Sequence, residues 1–420
     1  MARLTHLVAL VCLLLPLILA QTLPLSSTSR WIVDAKGERV KLRCVNWAAH
    51  METNVPEGLH RQSMDYLVGW IQRQGFNCVR LTYSNDHALN PSVKVSDSFA
   101  KAASDASVPL DAMMRMYDQV VAKNPWIVSA TTRDVMGTLI DKLFAAGIMT
   151  ILDNHVSKAG WCCNLTDGNG WWDKAFGYNP WSSRYFKTDE WLAGLQAMAS
   201  WAQSHRGVVA LSLRNELRAF LLQDLNGRAD WYNYIKQAGD LIHATHPDVL
   251  ILVGGALGGT DLTHLRNRQL DTSGWAGKNV WEMHAYSFTV NFPDPFKSCD
   301  VVKAQYGLFG GFVLEQNRPW TGPLILSEFG VGMTGGDHSG LNEKDHRYLM
   351  CLVDYMQNND ADWAVWVLGG GYYVREGQVD YDEGFGLLDN QWNDWRNPGF
   401  PGMLGNMWKM TQGPNQRRIR

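Results

Sequence analysis

The sequence predicts an α/β protein: a single (β/α)8 TIM barrel with an N-terminal β-hairpin and long loops after its second and third strands. Three observations carry this. Eight short apolar or β-branched runs alternate with longer helical patterns, as βα units around a parallel sheet do. They fall within about 330 residues, a span that suits one such barrel. Seven of the eight runs end in a polar or ionisable side chain, on the face where barrels of this kind do chemistry.

The elements follow in order. Met1-Ala2-Arg3 precedes an apolar run from Leu7 to Ala20, then polar Gln21 and Thr22. That run is too short to span a bilayer and has the basic start of a secretory signal. Residues 1–20 are therefore read as a signal peptide, residues 21–420 as one catalytic domain, and the protein as secreted and extracellular. A membrane anchor is the alternative reading; no later stretch is apolar enough to span a membrane. A hairpin comes next: Trp31-Ile32-Val33, a turn through Asp34 to Gly37, then Val40 to Trp47. Its second limb continues as the first barrel strand, Lys41–Trp47. The other strands are Asn77–Thr82, Ile148–Asn154, Val208–Asn215, Val249–Gly254, Val280–Tyr286, Pro323–Glu328 and Trp363–Leu368, with amphipathic stretches such as Asp230–Thr245 and Glu343–Asn358 between them.

Two connections are too long for plain turns. Tyr83 to about Thr132 carries mixed helical pattern. His155 to about Lys187 holds Trp161, Cys162, Cys163, Trp171, Trp172, Tyr178 and Trp181. Long structured insertions usually serve a site, and loops after barrel strands build the active face. A formal charge of −3 gives no basic excess for nucleic acid. No Cys/His spacing suits a metal, and Gly254-Gly255 and Gly258-Gly259 lack a dinucleotide fingerprint, so neither metal nor cofactor is expected. A monomer is expected.

Six cysteines follow the leader: Cys44, Cys78, Cys162, Cys163, Cys299 and Cys351. In an oxidising compartment some pair, but spacing does not choose the connectivity. Cys44 and Cys78 share strand parity with Asn46 and Arg80 and face the barrel interior, as thiols or as a bridge. Cys162 and Cys163 are expected to bridge different partners, with direct pairing as the alternative. Asn164-Leu165-Thr166 is an N-glycosylation sequon. The 19 tryptophans suit sugar stacking, although core packing is the favoured reading for any single one.

The strand ends carry Asn46 and Trp47, Arg80, Asn154 and His155, Asn215 and Glu216, His284 and Tyr286, Glu328, and Trp366. Glu216 and Glu328 each stop an apolar run, where a carboxylate is costly unless the strand opens into a polar cleft. The ordered pieces are Asn-Cys-Val-Arg-Leu around Arg80, Asn154-His155, Asn215-Glu216, His284-x-Tyr286, Glu328-Phe329-Gly330 and Trp366. Together they resemble glycoside hydrolase family 5, the cellulase-like family, over nearly the whole mature chain. One departure stands out: Leu217 follows Glu216 where the family usually shows proline. Leu213–Arg218 and Asp153–Cys163 resemble an outlying plant and fungal branch.

The resemblance implies retaining hydrolysis of O-glycosidic bonds in β-linked glycans or oligosaccharides, in polysaccharide catabolism. Glu328 would attack the anomeric carbon, and Glu216 would serve as acid and then base, with the carboxyls roughly 5–5.5 Å apart. Arg80 and Tyr286 would hold Glu328 ionised. Asn215 would bind the sugar 2-hydroxyl. His155 and His284 would orient hydroxyls or carboxylates, and Trp366 would floor the reacting sugar. Asn154 and Trp47 are further substrate-binding candidates. Glu216 is expected to stay protonated, with fewer cationic neighbours and less solvent than Glu328. Three alternatives are a catalytically silent carbohydrate-binding barrel, a mainly transglycosylating or exo-acting β-glycosidase, and a metal-dependent hydrolase; the last is disfavoured because the histidines are scattered.

Overall fold

The computed structural model describes residues 21–290 and 297–414. The proposed leader and the basic end at Arg417–Arg420 lie outside the described residues. Eight parallel strands close into a barrel: β1 (Arg43–Trp47), β2 (Cys78–Ser84), β3 (Met149–Val156), β4 (Val208–Ser212), β5 (Leu250–Gly254), β6 (Asn279–Ala285), β7 (Leu324–Phe329) and β8 (Asp362–Val365), with β8 paired to both β7 and β1. All eight expected strands are present. β4 stops three residues early, because the chain turns before Glu216. Among the described residues no helix is long and apolar enough to cross a membrane.

The N-terminal hairpin differs from its expected form. Its ladder joins Ser26–Thr28 to Trp31–Val33, and the limb leading into β1 meets it only through a Val33–Arg39 bridge and the Val40 to Ile32 hydrogen bond. Three helices on the barrel exterior start at side-chain caps: Ser63 for Met64–Arg73, a Thr131/Asp134 capping box for Thr132–Ala145, and Asn342 for Glu343–Asn359. Between β5 and β6 the regular helix is replaced by short 3₁₀ turns. The long loop after β2 folds into helices Val95–Asp105 and Leu110–Lys123. After β8, Gly371–Arg375 and Gln378–Asp382 form a second hairpin. Glu376 and Gly377 both have positive φ at its two-residue turn, the backbone a tight hairpin needs.

Period-two alternation sorts the strands into two cores. Inside the barrel lie Cys44, Cys78, Ile151, Leu252, Val280 and Ile325; between barrel and helices lies a larger layer rich in tryptophan. Most tryptophans are therefore packing residues, and several spend the indole N–H on a backbone carbonyl. Trp191 donates to Leu213 at 2.9 Å and Trp231 to Gly254 at 3.1 Å, which braces the chain at the ends of β4 and β5. The disulfides are Cys44–Cys78 across β1 and β2, Cys299–Cys351, and Cys162–Cys163. The last corrects the expectation of separate partners, since no other described cysteine is left for either.

Trp363 closes the barrel seam. It is fully buried on β8, donates to the Met407 carbonyl at 3.0 Å and packs edge-on against Phe76, Phe329 and Trp408. Trp363→Ala is expected to cost about 3–5 kcal/mol, read from guanidinium denaturation. A loss under 1 kcal/mol would contradict this packing account.

Candidate active site

The side chains at the C-terminal strand ends surround Arg80, which is fully buried. Its Nη1 donates to Glu328 Oε1 at 2.7 Å and to Asn46 Oδ1 at 3.0 Å. Its Nη2 donates to Asn215 Oδ1 at 3.0 Å and lies 2.9 Å from Asp153 and 3.9 Å from Glu282. One cation thus faces three buried carboxyls. Burial pushes Asp153 and Glu282 above ordinary carboxylate values, against the pull of Arg80. Glu282 also accepts from the Ser212 hydroxyl.

Glu328 reaches the cleft through an irregularity. Along β7, Ile325 faces the barrel interior and Leu326 the outer core, so strict alternation would send Glu328 outward. The β6–β7 register shifts between Met283↔Leu326 and His284↔Glu328, which gives β7 one extra residue. Such a bulge re-aims the next side chain. Glu328 Oε2 then accepts from the Tyr286 hydroxyl at 3.0 Å. Burial pushes the Glu328 carboxyl up, against the pull of His284 and Arg80.

Glu216 arrives differently. It has a left-handed backbone, φ 39°, just past β4. Its Oε1 lies 3.1 Å from His284 Nδ1, and the same nitrogen is 3.7 Å from Glu328 Oε2. An oxygen of each glutamate and a nitrogen of His284 all lie within 4.8 Å of one another. Burial pulls the His284 ring down, but Glu328 and Glu216 outweigh it, and its pKa stands above the ordinary histidine value. The expectation that Glu216 is the drier carboxyl is corrected; each carboxyl has His284 and one arginine beside it, the arginine closer to Glu328 at 2.7 Å. Its side chain is 19% exposed against 5% for Glu328, and Arg218 Nη1 sits 3.8 Å from Oε2. Glu216 lies at the cleft mouth, whereas Glu328 sits at the bottom beside Arg80.

His155 donates through Nδ1 to Asp153 at 2.6 Å, an assignment drawn from its partners, and stacks on Trp366 with 5.6 Å between ring centroids. Burial, with Arg80 adding to it, holds its pKa well below the ordinary value, so the ring is neutral. His155, Asn215, Glu216, Tyr286, Glu328 and Trp366 line a cleft of about 290 Å³, and His284 sits beneath it. Two candidates point away from the site altogether. Asn154 alternates with Asp153 and His155 on β3, so it points to the helical layer, where it accepts from Arg214 at 2.8 Å. Trp47 alternates with Asn46, lies in the outer core and donates to the Glu57 carbonyl.

Sequence reasoning missed Asp153 and Glu282, although each stands two residues before an identified site histidine on the same strand face. It also missed Phe288, Arg375, Glu383 and Phe385 of the cleft wall. Three of these come from the second hairpin or the segment after it, and no motif marks them.

This barrel, with paired glutamates at the ends of its fourth and seventh strands, is a glycoside hydrolase. The profile of the family described as cellulase (glycosyl hydrolase family 5) matches residues 33–371. A Chamaecyparis obtusa protein described as "Glycosyl hydrolase 5 family protein" is 36% identical over 419 residues, covering 98% of this chain and 71% of the relative. A Paenibacillus polymyxa endoglucanase is 25% identical over 397 residues, covering 90% of this chain and 85% of its own. The chain belongs to glycosyl hydrolase family 5. Among solved structures, an endocellulase from the archaeon Pyrococcus horikoshii aligns with TM-score 0.67 and 18% identity over 92% of this chain and 100% of its own, which shows the shared fold.

Replacing Arg80 tests the charge cluster. Arg80→Met leaves three buried carboxyls without their cation, at a cost of about 3–5 kcal/mol near neutrality. Their folded pKa values, already above ordinary, rise further, so the stability they contribute is present in acid and is lost as pH rises through those values. The melting-temperature gap to wild type is expected to narrow near pH 4 and widen toward about pH 7. A gap independent of pH would refute the cluster account.

Proposed function

We propose that this chain is a secreted, retaining hydrolase of β-linked glucans that works by double displacement. The observation that carries the reading is the approach of Glu216 and Glu328 to within 4.8 Å. That matches the roughly 5 Å spacing of retaining enzymes and leaves no room for the water an inverting pair places between its carboxyls, at about 6.5–9.5 Å. Glu328 is the nucleophile: as a carboxylate it accepts from both Arg80 and Tyr286, which hold it in one orientation. Glu216, at the solvated mouth, gives its proton to the leaving oxygen and then takes one from the incoming water. His284 lies against both carboxyls and offsets whichever carries the negative charge. Trp366 offers the sugar an aromatic face.

Support for a β-1,4-glucan comes from relatives: an endocellulase variant solved as a cellotetraose complex, and the endoglucanase at 25% identity. Three disulfides and the apolar leader support an oxidising, extracellular location, with the exposed Asn164 as a glycan acceptor.

Cellotetraose hydrolysis followed by NMR is expected to release the β-anomer first. Glu328→Ala and Glu216→Ala should each lower kcat by about a thousandfold or more. Azide should restore turnover of the Glu328 variant with inverted product. Normal activity in either variant would refute the assignment. His284→Ala removes a cationic ring that pulls Glu328 down. The acidic limb of the kcat/KM profile should therefore move upward. A downward move would place the charge elsewhere.

A further inference from the structure

The vicinal disulfide faces the cleft. Cys162 and Cys163 both line it, together with Trp161. Both sulfurs lie 3.6 Å from Asn215 Nδ2, and Cys162 Sγ lies 3.7 Å from Arg218 Nη1. That same Nη1 donates to the Glu216 carbonyl at 2.6 Å, while Nη2 forks onto both Asp167 oxygens at 2.8 and 3.1 Å. The sulfurs thus stand on the Glu216 side of the cleft. The Glu328 side is occupied by Tyr286 and Arg80.

A bridge between neighbours in sequence closes almost no chain, so it adds little of the loop-entropy stabilisation that distant pairs bring. What it does supply is local. It turns two polar, oxidisable thiols into one compact, polarisable surface with no hydrogen to donate. Sulfur is a weak acceptor, so the Asn215 amide keeps donor capacity for a hydroxyl in the cleft. Trp161 extends the surface: Arg375 lies 3.4 Å over its ring, and Tyr372 meets its edge. Arg375 is in turn fixed by Glu383 at 2.9 Å. The outcome is a rigid, largely apolar shelf beside the acid. A pyranose with equatorial hydroxyls has a face of axial C–H groups that fits such a shelf, and its rim hydroxyls then reach Arg375.

We propose that the Cys162–Cys163 disulfide and Trp161 form the subsite for the leaving sugar, accepting the C–H face of an equatorially substituted β-hexopyranosyl unit. This rests on reading Glu216 as the acid. Free thiols at the same positions would give the hydroxyl rim competing donors and a mobile floor. An axial hydroxyl on the leaving unit would be driven against sulfur without a good partner.

The test compares two substrates that share a glycosyl group and differ in what leaves. Cellotetraose places sugar on the shelf; β-cellobiosyl fluoride places only fluoride beside Glu216. In Cys162→Ala/Cys163→Ala, kcat/KM for cellotetraose is expected to fall about tenfold or more, while that for the fluoride stays within about twofold. Trp161→Ala keeps the disulfide and should show the same selectivity, and it decides the matter if the double variant fails to fold. Equal losses on both substrates would mean a merely structural role, and no loss on either would mean no contact; both overturn the proposal. A wild-type protein inert on both substrates would instead overturn the hydrolase reading, and the subsite with it.

Discussion

The site is organised by one buried guanidinium. Arg80 has no solvent with which to share its charge, so its full electrostatic demand falls on the groups around it: Glu328, Asn46, Asn215, Asp153 and Glu282. In a low-dielectric interior such attraction is strong, and it is also directional because the fork is planar. Two nitrogens tie strands β1, β2, β3 and β7 and the segment after β4 into one arrangement, so the Glu328 carboxyl cannot rotate without breaking the network. The three carboxyls outnumber the cation, and burial raises their pKa values accordingly. This excess favours keeping protons within the cluster.

The two glutamates need backbone irregularities to meet. A regular strand would bury one face of β7 in the barrel and the other against helices, with Glu328 on the wrong side. The extra residue at Ser327 corrects the aim. Glu216 is turned by a left-handed residue instead, and the Trp191 indole braces Leu213 just upstream. Buried aromatic packing thus underwrites the precision of a polar site: the tryptophans stiffen the strand ends and leave sugar contact to the few residues that reach the cleft.

The walls come from elsewhere in the chain. Trp161 to Cys163 follow β3, Phe288 follows β6, and Arg375, Glu383 and Phe385 belong to the hairpin after β8 and the segment beyond it. All lie in connections that follow barrel strands, so loop composition can change the wall without disturbing the charged floor.

The amino-acid order alone determined the eight-strand barrel, the two long insertions after β2 and β3, and the two glutamates with Arg80, His284 and Tyr286 about them. Those features are legible because strand alternation and apolar runs ending in ionisable groups are local, covalently spaced signals. Only the tertiary structure decided which way a strand-end residue faces. Asn154 and Trp47 look like site residues in sequence yet turn to the outer layer, while Asp153 and Glu282 turn in. It alone decided that Glu216 is the more solvated carboxyl and that Cys162 pairs with Cys163. Facing, solvation and pairing depend on bulges, on turns and on which distant segments arrive alongside, and no local spacing encodes those.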